Sequence, residues 1–223
     1  MQADGVTCIL TSCGRFDLLA ITLESFFKYN TYDVAEFIIY EDSCLPVPQE
    51  LKDKYHFIRY IEAPEQAGQI IALDTLWSQV KTEYAFCMED DWEFLKPGFI
   101  QASMDIMWQH KHIIMVWLKD AGDNNVHPIE WIVPAVTSCP PMLPFGIFKT
   151  SPTLWAWHRF NPSLKRKADY DLIAPFSKHT TFDKNKGWKS EAAISQVYNK
   201  LGFTAAILPY IYIKHLGEGR RCV

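Results

Sequence analysis

From its start to about residue 95 the chain alternates between short apolar runs and amphipathic stretches. Val6 to Leu10 is apolar without a period of two, which predicts a strand buried on both faces. The polar stretch Thr11 to Arg15 reads as a loop. Leu18, Leu19, Ile21, Leu23, Phe26 and Phe27 then recur at helical spacing, with Asp17 placed to cap that helix. Phe37 to Tyr40 predicts a second strand ending in Glu41 and Asp42. FIRYIEAPE predicts a third, weaker strand, AGQIIALDTLWSQV a helix, and EYAFCM the next strand. Alternating strands and helices predict an α/β protein with a mostly parallel central sheet flanked by helices. In such sheets ligands bind beyond the carboxyl ends of the strands. Thr11-Ser12, Glu41-Asp42 and Glu89-Asp90-Asp91 all fall at that end, so three polar clusters from separate strands are expected to meet along one edge.

Beyond Trp92 the pattern loosens. A helix is expected over roughly Pro97 to Gln109 and a strand at HIIMVWL, after which Ala121 to Pro152 is rich in Pro and Gly and reads as irregular loops or a few short strands. TLWAWHRFNPSLKRKADYDLI leads into another short helix. GWKSEAAISQVYNKLGF is a further helix, with Ser190 placed as N-cap and Gly202 near its end. TAAILPYIYIKHLGEGRRCV reads as one last strand and a tail. With no internal repeat or linker, residues 1–223 are expected to form one domain, with a half to residue 95 and a second half, with tail, from residue 96.

Composition narrows the function classes. The 223 residues carry 22 Lys and Arg against 26 Asp and Glu, a net charge of −4, which gives no support to a nucleic-acid partner. None of the six cysteines lies in a C-x-x-C pair, and Cys8 and Cys87 sit within apolar runs, so a reducing, cytoplasmic setting is expected. The N-terminus lacks the charge and apolar pattern of a signal peptide, and no apolar run is long enough to span a bilayer.

The acidic triplet sets the chemical question. Two adjacent like charges at ~4 Å cost roughly 1 kcal/mol in water and about 4 kcal/mol at an effective dielectric of 20. A solvated turn or a cation would offset that. P-loop, dinucleotide-fingerprint, H-E-x-x-H and G-x-S-x-G motifs are all absent. Hard oxygen ligands at the edge of an α/β sheet suit Mg2+ or Mn2+ held jointly with a diphosphate.

EYAFCMEDDWEF resembles the acidic metal-binding motif, usually called D-x-D, of glycosyltransferases with the GT-A fold. VTCILTSCGRFDLLAITLESF is similar to that family's first strand, loop and helix, IIYEDS to its second strand, and EQAGQIIALDTLW to the helix beside the donor. RFNPSLKR and KHLGEGRRCV are similar to segments of a bacterial and viral branch of inverting, family-2-like enzymes. The chain departs from the pattern in two places: the triplet opens with Glu89 rather than Asp, and Asp74 stands where the family often has Asn.

The resemblance implies a GT-A-like fold. It also implies transfer of a sugar from a nucleotide diphosphate donor, UDP-linked by preference, to an acceptor hydroxyl with inversion. The acceptor is a glycan, a lipid-linked molecule or a small molecule. Asp91 and His215 would hold the metal. Thr11, Ser12, Arg15, Gly68, Gln69, Glu89 and Asp90 would lie against the donor, with Glu41 or Asp42 at its base, and Arg220 and Arg221 near the diphosphate. Trp155, with Trp157 and Trp188, would form an acceptor platform. Glu191 would be the general base, although a carboxylate near a helix N-terminus is favourable by about 0.3–1 kcal/mol in its own right. Asp169, Asp171 and Asp183 remain rivals for that role. A binding module without turnover and a nucleotidyltransferase are the alternative readings.

Overall fold

The computed structural model describes residues 5–123, 128–134, 143–149, 157–180 and 187–220. The chain opens with β1 (Val6–Ser12), α1 (Phe16–Tyr29), β2 (Val34–Glu41), α2 (Gln49–Lys54), β3 (Arg59–Glu62), α3 (Gln69–Gln79), β4 (Tyr84–Glu89) and β5 (Trp92–Phe94). It continues with α4 (Phe99–Gln109), β6 (Ile113–Trp117), β7 (Ile129–Ile132), β8 (Phe145–Phe148), β9 (Ser163–Arg166), α5 (Lys167–Asp171), α6 (Gly187–Lys200), β10 (Thr204–Ile207) and β11 (Ile213–His215).

The main sheet has the order β3-β2-β1-β4-β9, in which β1, β2, β3 and β4 are parallel and β9 runs antiparallel beside β4. The uninterrupted apolar runs follow from burial on both faces. Cys8, Leu10, Phe86 and Met88 join a core layer with Phe26 of α1 and Phe99 of α4. Ile9, Ala85 and Cys87 face the opposite layer, with Trp77 of α3 and Ile194 of α6. Trp77 stacks on Tyr170 at 4.7 Å with the rings 7° from parallel, locking α3 to α5. A second sheet, β6-β10-β8-β7, and the two-stranded ribbon β11-β5 complete the described fold. Gly146 in β8 lets neighbouring strands close over it, because a Cβ there would lie 2.3 Å from Ile129 Cγ2.

Several local expectations change. Helix α4 begins at Phe99, after Gly98 turns the chain through φ 90°, and not at Pro97. Asp17 does not cap α1: Arg15 holds the N-cap position without a side-chain hydrogen bond, and Asp17 lies in the first turn. Ser190 lies inside α6, which starts at Gly187, and its hydroxyl pairs with that of Thr180 at 2.9 Å. The expected single last strand is two, β10 and β11, in different sheets. Ser163–Arg166, read as the approach to a helix, is strand β9 and is wholly buried. Its polar sequence is explained by Arg166, whose guanidinium donates to the carbonyls of Met107 (2.7 Å), His110 and Lys111 (both 3.2 Å) at the end of α4 and pairs with Asp169 at 2.5 Å.

Candidate active site

The register of the parallel strands brings the three polar clusters level. Ser12 pairs with Glu41 across β1 and β2, and Thr11 pairs with Glu89 across β1 and β4. The turn carrying the acidic triplet is then held from both sides. Thr22, buried on α1, donates its hydroxyl to the Asp90 carbonyl at 2.8 Å and accepts the Trp92 N–H at 3.1 Å. Ser25, one turn on, accepts the Phe94 N–H at 3.0 Å. From the other side β11 pairs with β5, and Leu216 donates its N–H to the Asp91 carbonyl at 2.8 Å. The turn therefore has little freedom to re-aim its carboxylates.

The three acids do different work. Glu89 accepts from the Gln69 amide at 2.7 Å and from the Trp92 indole at 3.2 Å. Burial raises its pKa, and the negative charges of Asp91 and Glu191 raise it further. Asp90, 1% exposed, faces inward and organises the loop after β1. It accepts the Cys13 N–H at 3.2 Å and the Ser12 hydroxyl at 3.4 Å, and it pairs closely with the Arg15 guanidinium. Burial pushes its carboxyl up to about 6 against the pull of Arg15, which still leaves it mostly ionised at neutral pH. Asp91, also buried, is the acid that faces the C-terminal tail. Its Oδ2 receives Arg15 Nη1 at 2.7 Å and lies 3.2 Å from His215 Nε2. Burial alone would raise its pKa, but the hydrogen bond from His215 and the Arg15 charge outweigh it and hold the group below the usual range. The same bond raises the His215 pKa.

Asp91 and His215, 124 positions apart in the sequence, thus approach each other. Gly217 closes over them: a Cβ there would lie 2.1 Å from Asp91 Oδ2 and 3.0 Å from Arg15 Nη1. Among the described residues no group of three or more His, Cys, Asp or Glu side chains is arranged to hold a metal ion. One carboxylate and one imidazole nevertheless fit a divalent ion of the Mg2+ or Mn2+ type, which is bound through one or two protein ligands with phosphates and water completing its shell.

The remaining predicted residues fall around this centre. Glu41 is fully buried; its Oε1 accepts the N–H groups of Gly14 and Ser43, both at 2.9 Å. Asp42 accepts the N–H groups of Ala67 at 2.8 Å and Gly68 at 2.7 Å, fixing the loop that enters α3. Gly68 has φ 90°, which favours glycine. Arg220 forks onto Asp17 at 2.7 and 3.1 Å, tying the tail to α1. Glu191 is close enough for its charge to act on Glu89. It accepts Arg159 Nη1 at 2.6 Å and the Phe160 N–H at 2.9 Å. Asp169 and Asp171 pair with Arg166 and Lys167. Trp155, Asp183 and Arg221, with the side chain of Trp188, lie outside the described residues. Trp157 is buried in the core against Phe148, stacked at 4.8 Å.

Sequence reasoning missed Arg159, Gly217 and the Thr22–Ser25 staple. Two buried hydroxyls three residues apart on an otherwise apolar helix face are a readable signal; Arg159 and Gly217 carry none. It also left Asp74 unexplained. Its carboxylate accepts the Tyr170 hydroxyl (2.8 Å) and the N–H groups of Phe176 (2.7 Å) and Ser177 (3.0 Å), which uses both oxygens as an Asn could not.

The family model described as glycosyl transferase family 2 matches residues 7–181. No curated protein gives a significant match. Among solved structures, GalNAc-T7 crystallised with UDP, GalNAc and Mn2+ superposes with a TM-score of 0.64 at 10% identity, covering 95% of this chain and 43% of that one. TarS 1–349 of S. aureus superposes with a TM-score of 0.59 at 12% identity, covering 93% of this chain and 59% of that one. The chain thus spans roughly half of each of these two proteins, and at such identities the likeness establishes the fold.

Proposed function

The chain belongs to glycosyl transferase family 2 and has the GT-A fold of glycosyltransferases, and from that premise we propose that it moves a sugar from a UDP-linked donor to an acceptor hydroxyl with inversion, in a divalent-metal-dependent reaction. The observation that carries this reading is the meeting of Asp91 and His215 at the carboxyl edge of the parallel sheet, beside the loops that follow β1, β2 and β4. The neighbour crystallised with UDP and Mn2+ adds support.

Asp91 and His215 would hold the ion, which when bound neutralises charge on the leaving diphosphate. Thr11, Ser12 and Arg15 line the donor side. Asp42 holds the Gly68–Gln69 segment against it, and Glu41 fixes the loop beyond β1 from beneath. Gln69 and Trp92 orient Glu89 towards the donor. On the acceptor side Glu191 takes the hydroxyl proton as the acceptor oxygen attacks the anomeric carbon. The bond from that carbon to the diphosphate breaks, and its electron pair leaves with UDP. One displacement inverts the centre. Arg159 holds the Glu191 carboxylate in place for this step.

The test is release of UDP from a panel of UDP-sugars, with and without EDTA, in wild type and Asp91→Ala. Metal-dependent turnover lost in D91A, with unchanged circular dichroism, supports the reading. Full turnover in EDTA overturns the metal role. Binding of UDP with neither hydrolysis nor transfer favours a non-catalytic module, and release of pyrophosphate from a nucleoside triphosphate favours a nucleotidyltransferase.

A further inference from the structure

Arg15 bridges two carboxylates of the acidic turn. Its guanidinium pairs with Asp90 through Nη2 and through Nε at 3.4 Å, and reaches Asp91 through Nη1 at 2.7 Å. Asp91 Oδ2 is the oxygen that also faces His215 Nε2 at 3.2 Å. Arg15 therefore engages the Asp91 oxygen that faces His215, the side on which a cation held by both residues would sit. A guanidinium and a divalent cation held at one carboxylate repel each other, so each weakens the other's hold on Asp91.

We infer that Arg15 is an internal counter-ion that competes with the divalent cation for Asp91 and turns to the donor diphosphate once the cation displaces it. This rests on the metal-and-donor reading above. The backbone of Arg15 is fixed, because its carbonyl accepts the Leu18 and Leu19 N–H groups at 3.0 and 2.9 Å at the start of α1. The change is therefore confined to the side chain. Nη2 and Nε keep their hold on Asp90 while Nη1 leaves Asp91, so the guanidinium pivots and does not escape. The Nη1 donor released, held in place because the other two nitrogens stay on Asp90, suits a phosphate oxygen of the diphosphate. Nη1 also lies 3.4 Å from the Arg220 carbonyl, so the pivot is felt by the tail over the site. The consequence is positive coupling. The cation alone must break an ion pair to bind, whereas cation and diphosphate together leave every charge partnered.

The test is calorimetric titration of Mn2+ alone, and of UDP at saturating Mn2+, into wild type, Arg15→Gln and Arg15→Lys, with circular dichroism to confirm folding. In R15Q, Mn2+ alone is expected to bind about tenfold tighter or more, and UDP about tenfold weaker or more. R15K keeps a charge without the fork, and both shifts are expected at several-fold. If R15Q does not fold, R15K carries the same pair of titrations. A folded variant with unchanged or weaker Mn2+ binding overturns the inference, as does tighter Mn2+ binding with unchanged UDP affinity. In either case wild-type binding of Mn2+ and UDP leaves the broader reading standing. A wild type that binds neither sinks both.

Discussion

Gly217→Ala is the smallest change that addresses the geometry around Asp91. The backbone of Gly217 lies outside the left-handed region, so the effect of a methyl group is steric. The methyl carbon would stand 2.1 Å from Asp91 Oδ2, 2.9 Å from Cγ and 3.0 Å from Arg15 Nη1. Overpacking of this kind costs about 1–3 kcal/mol where nothing can move. Rotating the carboxylate would forfeit the contacts to both Arg15 and His215, of which the buried Arg15 bond alone is worth about 1.5–3 kcal/mol. Lifting the tail is cheaper. It gives up the Leu216 hydrogen bond, worth about 0.5–1.5 kcal/mol, with the exposed Arg220–Asp17 pair and the contact of the half-exposed His215, but keeps the buried Arg15–Asp91 pair. The tail is therefore expected to rise and carry His215 away from Asp91. Stability falls by about 1–2 kcal/mol, which in a chain of this size lowers Tm by roughly 2–8 °C. Mn2+ affinity falls by about tenfold or more. Thermal melts and Mn2+ titration by calorimetry read the two effects. A G217A protein with wild-type melting and wild-type Mn2+ affinity would refute the reasoning, because the methyl group would then have found room that the packing denies it.

Glu191→Gln is expected to leave UDP binding intact while sugar transfer falls by about 10²-fold or more; transfer at the wild-type rate would place the base elsewhere. Asp74→Asn is expected to lower stability by about 1–2 kcal/mol in urea denaturation, since one of three accepted hydrogen bonds is lost; an unchanged midpoint would contradict this account of Asp74. His158 is buried among Phe160, Phe176 and Tyr198, and burial pushes its imidazole well below the usual value, with the Lys165 and Arg159 charges adding to the shift. The unfolded chain therefore takes the proton first. The neutral residue's contribution is full above about pH 6.5 and lost below it, by up to about 1.4 kcal/mol per pH unit. Because the raised carboxyls of Glu89 and Asp90 act in the opposite sense, the measurement is the stability difference between wild type and His158→Phe at pH 7.5 and pH 5.5. It should move in favour of the variant as pH falls, and a constant difference would refute it.

The strands that build the edge of the site were legible because burial on both faces leaves an uninterrupted apolar run, as in Val6–Leu10 and Tyr84–Met88. Once those strands are parallel, the position of Ser12, Glu41 and Glu89 at one edge follows from topology alone. Strands β5, β9 and β11 were not read as separate elements, since they are three or four residues long and carry charge. Their formation depends on partners distant in sequence: Thr22 and Ser25 under β5, and the α4 carbonyls beside Arg166. His215 was singled out only through a resemblance of the tail, and its contact with Asp91 comes from the pairing of β11 with β5. No local pattern in the sequence specifies the Arg159–Glu191 pair or the closeness of Gly217, because both arise from long-range packing.

The most direct measurement of the central claim is an anomalous difference map from crystals grown with Mn2+ and UDP. The account predicts a manganese peak in coordination contact with both the Asp91 carboxylate and His215 Nε2 and with phosphate oxygens of the nucleotide. A map without manganese at Asp91 under saturating ligand, or with Asp91 still paired to Arg15 beside bound UDP, would contradict it.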